Sequence, residues 1–397
     1  MLKGKNIILG VTGSISVYKA VDFASKLVQA GAVVDVVMTK AATEFVKPIS
    51  FSSLTQRPVS TEMFPDKIDY DIAHISLSDR ADLIVICPAT ANTIAKLANG
   101  IADDMLSSTV LATEAPVIIA PAMNYRMYRN EVTQQNIDKL KGRGFTFIGP
   151  ATGRLASGAV GKGRLVDIKD VMGAAKQVLG RGGDLAGKKV VVTAGGTQEP
   201  IDPVRRVSNR SSGKMGYAIA EAARDRGASV VLVSAPTSLS APYGVELVSI
   251  QTASQMHDAV VKAVDGCDVL IMAAAVADYR PKNIADSKIK KSADSLSIEM
   301  EKTTDILSDV SASVKIGFAA ESDDLESNAQ QKLAKKNLDF IVANDITTAG
   351  SGFDVDTNEV IIIDKSGQKT KLPLMPKIDV AHKILDRVAA LVSKPTT

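Results

Sequence analysis

The chain has 397 residues, 45% of them hydrophobic and 23% charged, which suits a globular protein too long for one core, so two domains are expected. Its 47 basic and 44 acidic side chains leave a formal net charge of +3, too little to argue for nucleic acid or a membrane surface as partner. Aromatic residues make up 4% and Trp is absent, so there are few platforms on which bases could stack.

The apolar run near Met1 is too short for a signal peptide or a membrane span, and a cytoplasmic protein is expected. Short apolar runs at 6–11, 33–38, 83–87, 117–120 and 145–148 alternate with amphipathic helical patterns such as 15–30 and 92–99. A second series has runs at 188–193, 229–233, 245–249, 269–273, 315–319 and 340–343, with helical patterns at 214–226, 253–264 and 322–337. Continuous apolar strands separated by helices predict parallel sheets covered on both faces. The expected fold is therefore α/β, with two Rossmann-like doubly wound domains. The glycine-rich stretch LGRGGDLAGKK (179–189) marks the boundary, giving domains 1–182 and 187–397. SKIKKSADS (287–295) reads as a charged flap, followed by an alternating strand, LSIEMEKT. Two cysteines far apart, Cys87 and Cys267, suit a reducing compartment and buried packing.

In the first half, Gly13, Ser14 and Ile15 lie in the turn between the first strand and the first helix. That turn lacks GxGxxG spacing, so a dinucleotide is not indicated, but its helix end suits one phosphate. Thr39 closes the second strand, and Pro88, Ala89, Thr90 and Asn92 follow the third. Each turn alone is equally a helix cap. Together, at the carboxyl edge of one sheet, they favour a mononucleotide such as FMN. Of three histidines, His257 and His382 sit in helical patterns, while His74 lies in DYDIAHISLSDRAD. An imidazole titrating near ~6.5 is the natural base at neutral pH if it faces the cofactor; otherwise His74 is structural.

In the second half, VVTAGGTQEPIDPVRRVSNRSSGKMG (191–216) runs strand, glycine turn, arginine-bearing loop, helix start. Exposed amides at such a helix start hold an anion, and Arg205 and Arg206 add a planar fork for phosphate or carboxylate. The alternative is an ordinary βα turn with solvated arginines. No Walker sequence occurs. Lys332 and Lys336 share a helix face, which is most often only a solvated one.

PAMNYRM (121–127) resembles the PxMNxxM motif of homo-oligomeric flavin-containing cysteine decarboxylases. GRLASGAVGKGR (153–164) resembles their substrate-recognition clamp, and NGIADDML (99–106) another of their segments. The second half resembles phosphopantothenate–cysteine ligases. Over essentially its whole length the chain is similar to the bifunctional decarboxylase–ligase flavoproteins of coenzyme A biosynthesis.

That resemblance implies two reactions. CTP activates 4′-phosphopantothenate as an acyl-cytidylate, which cysteine captures as 4′-phospho-N-pantothenoylcysteine. An FMN-dependent oxidative decarboxylation then yields 4′-phosphopantetheine. It assigns His74 as active-site base, Asn124 to the substrate carboxylate, and Met123 to the flavin site. It assigns Asn209 to the acyl-cytidylate and Lys288 to its capture. Ser211, Ser212, Ala274, Asp278, Phe318, Lys332 and Lys336 bind CTP or substrate, with Asp278 also the contact for Mg²⁺. It further implies flavin-domain trimers, assembling into dodecamers, and ligase-domain dimers. The departure is Ser157, where many members place a cysteine as proton donor in the last reduction. A hydroxyl is a far weaker acid than a thiol of pKa about 8.5. The alternatives are therefore an active ligase beside a decarboxylase whose final reduction is slow or altered, and a non-enzymatic regulatory flavoprotein.

Overall fold

Val190, Val192 and Ala194 face one apolar layer of a parallel sheet while Val191 between them faces the other, the alternation expected of a strand buried on both sides. The computed structural model describes residues 1–64, 73–290, 296–321, 324–345, 352 and 354–393. Part of the predicted flap (291–295), the acids at 69 and 71 before His74, and the first two residues of the predicted helix 322–337 lie outside the described residues.

The first unit, Met1–Leu179, contains strands β1 (Asn6–Val11), β2 (Val33–Met38), β3 (Val59–Ser60), β4 (Leu83–Ala89), β5 (Val117–Pro121) and β6 (Thr146–Phe147). They form one sheet in the order β3-β2-β1-β4-β5-β6, with every pairing parallel. Helices α1 (Val17–Gln29), α2 (Lys40–Thr43), α3 (Ile49–Thr55), α4 (Ala73–Arg80), α5 (Ala91–Asn99), α6 (Met105–Ala112), α7 (Tyr125–Arg129), α8 (Glu131–Gly142) and α9 (Ile168–Leu179) connect or follow the strands. A separate antiparallel hairpin, β7 (Ala151–Arg154) and β8 (Val160–Arg164), carries the glycine-rich clamp sequence.

The second unit, Gly180–Thr397, is built on an eight-stranded sheet. Its strands in chain order are β9 (Lys189–Ala194), β12 (Ser229–Ser234), β13 (Glu246–Ser249), β14 (Val269–Met272), β17 (Val314–Glu321), β18 (Phe340–Asp345), β19 (Thr357–Asp364) and β20 (Lys369–Pro376). The spatial order is β13-β12-β9-β14-β17-β18-β19-β20. The last three strands pair antiparallel, and sequence reading missed the β19–β20 hairpin. Two small ribbons interrupt the pattern: β10 (Gln198–Pro200) with β11 (Arg206–Ser208), and β15 (Tyr279–Pro281) with β16 (Met300–Lys302). The strand predicted over 296–303 is confined to β16. Helices α10 (Lys214–Asp225) and α14 (Lys377–Val392) supply one apolar layer. Helices α11 (Ala253–Ala263), α12 (Ile306–Asp309) and α13 (Leu325–Lys335) supply the other.

Both sheets are keyed alike at their amino edges. The Asp82 carboxylate accepts the Asn6 amide at 2.7 Å and pairs with Lys5; Asp268 accepts the Lys189 amide at 2.8 Å and pairs with Lys188. In each unit the chain leaves the first strand on one side and later returns on the other, so the loops after β1 and β4, and after β9 and β14, part at the carboxyl edge. Such switch points are where doubly wound sheets open a ligand crevice.

Candidate active sites

In the first unit a cavity of about 690 Å³ opens at that switch point. Gly13, Ser14, Ile15, Thr90, Met123, Asn124 and Ser157 of the expected site line it. Buried Thr12 ties its two loops together: its Oγ1 donates to the Pro88 carbonyl at 2.8 Å and accepts the Thr90 amide at 3.0 Å. A Cβ on Gly13 would stand 2.5 Å from the Ala41 Cβ, so the turn can approach α2 this closely only as glycine.

Asn124 caps α7, its Oδ1 accepting the Arg126 amide at 2.9 Å, which leaves its side-chain NH₂ as donor. Ser157 sits at the exposed tip of the β7–β8 hairpin, in a turn closed by the Gly158 amide on the Leu155 carbonyl at 2.9 Å. Among the described residues the lining includes Lys19, Arg154 and Arg164 and no carboxylate, an environment that favours an anion.

Four expected flavin residues do not line the cavity. Ala89 is fully buried in β4, Pro88 contributes only the carbonyl that holds Thr12, and Asn92 is exposed in the first turn of α5. Thr39 precedes α2, and its buried Oγ1 has no hydrogen-bond partner among the described residues. A desolvated hydroxyl without a partner beside a glycine turn is what a phosphate-bearing ligand would satisfy. His74 lies half-buried on α4, outside the lining of this cavity. Cys87 is fully buried, and burial pushes its thiol up to about 12, so it is a packing residue and no nucleophile.

The second unit opens a larger cavity, about 990 Å³. Asn209, Ser211, Ser212, Ala274, Asp278, Phe318, Lys332 and Lys336 all line it, brought together from loops, a strand and a helix. The 273–278 loop is held by three threonines. Thr193 Oγ1 accepts the Ala274 amide at 3.1 Å, Thr197 Oγ1 accepts the Ala277 amide at 2.9 Å, and Thr303 Oγ1 donates to the Ala277 carbonyl at 2.6 Å. Asn209 bridges to the same loop, its Nδ2 donating to the Val276 carbonyl at 3.1 Å. Gly213 opens α10 with φ 76°, a conformation glycine adopts without strain.

Lys332 and Lys336 share one face of the α13 end: Lys332 donates to the Phe318 carbonyl at 2.8 Å, and Lys336 pairs with Asp305. Lys214 and Lys377 extend the basic wall beyond the expected set. Lys377 is held below the usual lysine range, first by burial and then by Lys214 beside it. The fork expected of Arg205 is engaged elsewhere, on Asp202 and the Ile289 carbonyl. Lys288 is exposed and lies outside the cavity lining. Among the described residues no three His, Cys, Asp or Glu side chains gather as a metal site, so exposed Asp278 stands without a ligand cluster.

Two α/β units, each with a crevice bearing basic side chains at its switch point, define a two-site α/β protein suited to phosphorylated ligands. Residues 1–180 match the family model described as Flavoprotein, and residues 185–392 match the DNA/pantothenate metabolism flavoprotein C-terminal domain. The coenzyme A biosynthesis bifunctional protein CoaBC of Bacillus subtilis (strain 168) is 49% identical over 403 residues, covering 100% of this chain and 99% of that protein. Its counterpart in Vibrio cholerae serotype O1 is 44% identical over 391 residues, covering 97% and 98%. The crystal structure of the C-terminal domain of a protein of this name is 42% identical, with a TM-score of 0.46, covering 53% of this chain and 98% of that one. The chain belongs to the family of bifunctional coenzyme A biosynthesis proteins, enzymes that join a decarboxylase to a ligase. Its membership gives the non-enzymatic alternative no support.

Proposed function

We propose that the second unit couples cysteine to 4′-phosphopantothenate at the expense of CTP, and that the first decarboxylates the product with FMN to give 4′-phosphopantetheine. The observation that carries the reading is convergence: eight residues expected to contact CTP or the acyl-cytidylate, scattered from 209 to 336, line one cavity.

In the ligase cavity Ser211, Ser212, Lys332 and Lys336 suit a triphosphate, with backbone amides at the α10 start adding donors. Mg²⁺ fits as an ion carried by the triphosphate and touched by Asp278, because Mg²⁺ typically takes one or two carboxylates plus substrate phosphates. Asn209, with its Nδ2 on Val276, keeps Oδ1 for the acyl-cytidylate. Lys288 serves capture of that intermediate by cysteine.

In the flavin cavity the α1 start suits the FMN phosphate, with Thr39 Oγ1 an acceptor or donor in reserve outside the lining, and the Asn124 NH₂ suits the substrate carboxylate. When bound, FMN supplies the oxidant that turns the cysteinyl thiol into an electron sink for loss of carbon dioxide. Ile15, Tyr18 and Met127 are 60%, 64% and 49% exposed at the cavity rim, which supports a subunit contact there, in the trimers that the family resemblance implies for the flavin units. His74 would then serve a neighbouring copy's cavity. Nothing in this chemistry calls for a compartment other than the cytoplasm.

Two assays test the reading. Protein from flavin-replete cells is expected to be yellow and to release FMN on denaturation; colourless protein removes the first half. Pyrophosphate release is expected from CTP only when 4′-phosphopantothenate is present. Equal turnover with ATP removes the nucleotide assignment.

A further inference from the structure

Lys288 stands outside the ligase cavity, but the residue after it is fastened from both sides. The Ile289 amide donates to Asp202 Oδ2 at 3.2 Å, and the Ile289 carbonyl accepts from Arg205 Nη2 at 3.2 Å. The Ala285 amide donates to the Ile201 carbonyl at 3.0 Å, so the lysine-bearing segment is docked along the 201–205 turn. Asp202 shapes that turn as well, its Oδ1 accepting the Val204 amide at 2.8 Å and the Arg205 amide at 2.7 Å. Its side chain is 0% exposed and pairs with Arg205 at 3.5 Å. Burial pushes this carboxyl up, but the three backbone amides and Arg205 outweigh it and hold it below the usual carboxylate range. A buried carboxylate with both oxygens engaged by backbone is a rigid joint between two loops.

We propose that Asp202 is a positioning residue for the ligase reaction: by gripping the Ile289 amide it anchors the segment that carries Lys288, and so sets where that ammonium can reach. The inference rests on the reading of Lys288 as the group that assists cysteine capture. It holds whether Lys288 serves its own cavity or that of a second copy, since the anchor lies one residue away in either case. One oxygen shapes the turn and the other holds the segment, so the two jobs can be separated chemically.

Asp202→Asn in the full-length protein does this. The amide oxygen can keep the Val204 and Arg205 bonds, while its NH₂ cannot accept from Ile289. Hydrogen exchange at the Ile289 amide should accelerate by about tenfold or more. Pyrophosphate release with CTP and 4′-phosphopantothenate should stay within about twofold, while cysteine-dependent consumption of the acyl-cytidylate falls by about tenfold or more, so the intermediate accumulates. Ile289→Pro removes the donor instead and should give the same split between the two half-reactions. The double variant should be no worse than either single one, because both break the same bond.

Unchanged Ile289 exchange, or an equal fall in both half-reactions, overturns the proposal. A Lys288→Gln control separates the two ideas. Undiminished capture in Lys288→Gln sinks the role of Lys288 itself. Undiminished capture in Asp202→Asn beside a defective Lys288→Gln sinks only the anchor.

Discussion

The Gly163 carbonyl accepts the Met123 amide at 3.0 Å, and a Cβ on Gly163 would stand 2.3 Å from the Met123 carbonyl oxygen. The clamp hairpin is thus laid directly on the Met123–Tyr125 backbone, and the alternating glycines of its second strand follow from that contact. A Cβ on Gly161, two residues earlier, would meet the Tyr125 side chain at 2.8 Å. Gly163→Ala is therefore expected to lower decarboxylation by about tenfold or more, because backbone cannot yield as a side chain can. Gly161→Ala should cost less, and CTP-dependent ligation should be untouched in both. Carbon dioxide release measured beside pyrophosphate release checks the order; equal effects of the two variants would refute it.

Thr197 is fully buried, and its hydroxyl is the acceptor that holds the Ala277 amide beside Asp278. Thr197→Val keeps the shape but leaves that amide without its partner, at a cost of about 1–3 kcal/mol. A lower denaturation midpoint and a ligase rate reduced by about tenfold are expected, with decarboxylase activity retained. A variant that matched the parent in ligation would show that the loop needs no staple.

Ser157 occupies the hairpin tip where a thiol would be the stronger proton donor. Mass spectrometry of the decarboxylation product should show some material two hydrogens lighter than 4′-phosphopantetheine, and Ser157→Cys should reduce its share. If the parent yields only the fully reduced product, and at an unchanged rate in Ser157→Cys, the hydroxyl is no handicap.

His382 on α14 is held below the usual histidine range, first by burial and then by the Arg226 guanidinium, with Asp379 and Asp386 opposing. Because the folded state disfavours the protonated form, the unfolded chain binds more protons between the two pKa values, and stability rises with pH there. Full stability is expected above the unfolded value of about 6.5, declining as pH falls through the lower folded value. Chemical denaturation of the ligase unit from pH 7.5 to 5 measures this. His382→Gln should flatten the profile, and an unchanged slope would assign it to other groups.

Much of this arrangement was legible in the chain. The runs over 6–11 and 33–38 coincide with β1 and β2, because strands covered on both faces carry unbroken apolar sequence. Lys214 begins α10 as expected, since Gly213 ends the loop in a left-handed conformation. The β19–β20 hairpin was not legible: β19 is alternately half-buried and β20 is largely exposed, so neither reads as a continuous apolar strand. The contact of Arg205 with the Ile289 carbonyl was not legible either, because its partner lies 84 residues away.

Residue order alone determined the two α/β units, the family, and which turns stand at the carboxyl edges of the sheets, because strand periodicity and glycine turns are local properties. Only the tertiary structure decided which of those turns meet. It brought Asn209 and Lys336 to one cavity, left His74 and Lys288 outside the cavities of their units, and made Asp202 a joint rather than a turn residue alone. These are long-range contacts, set by strand order and burial, and no local pattern encodes them.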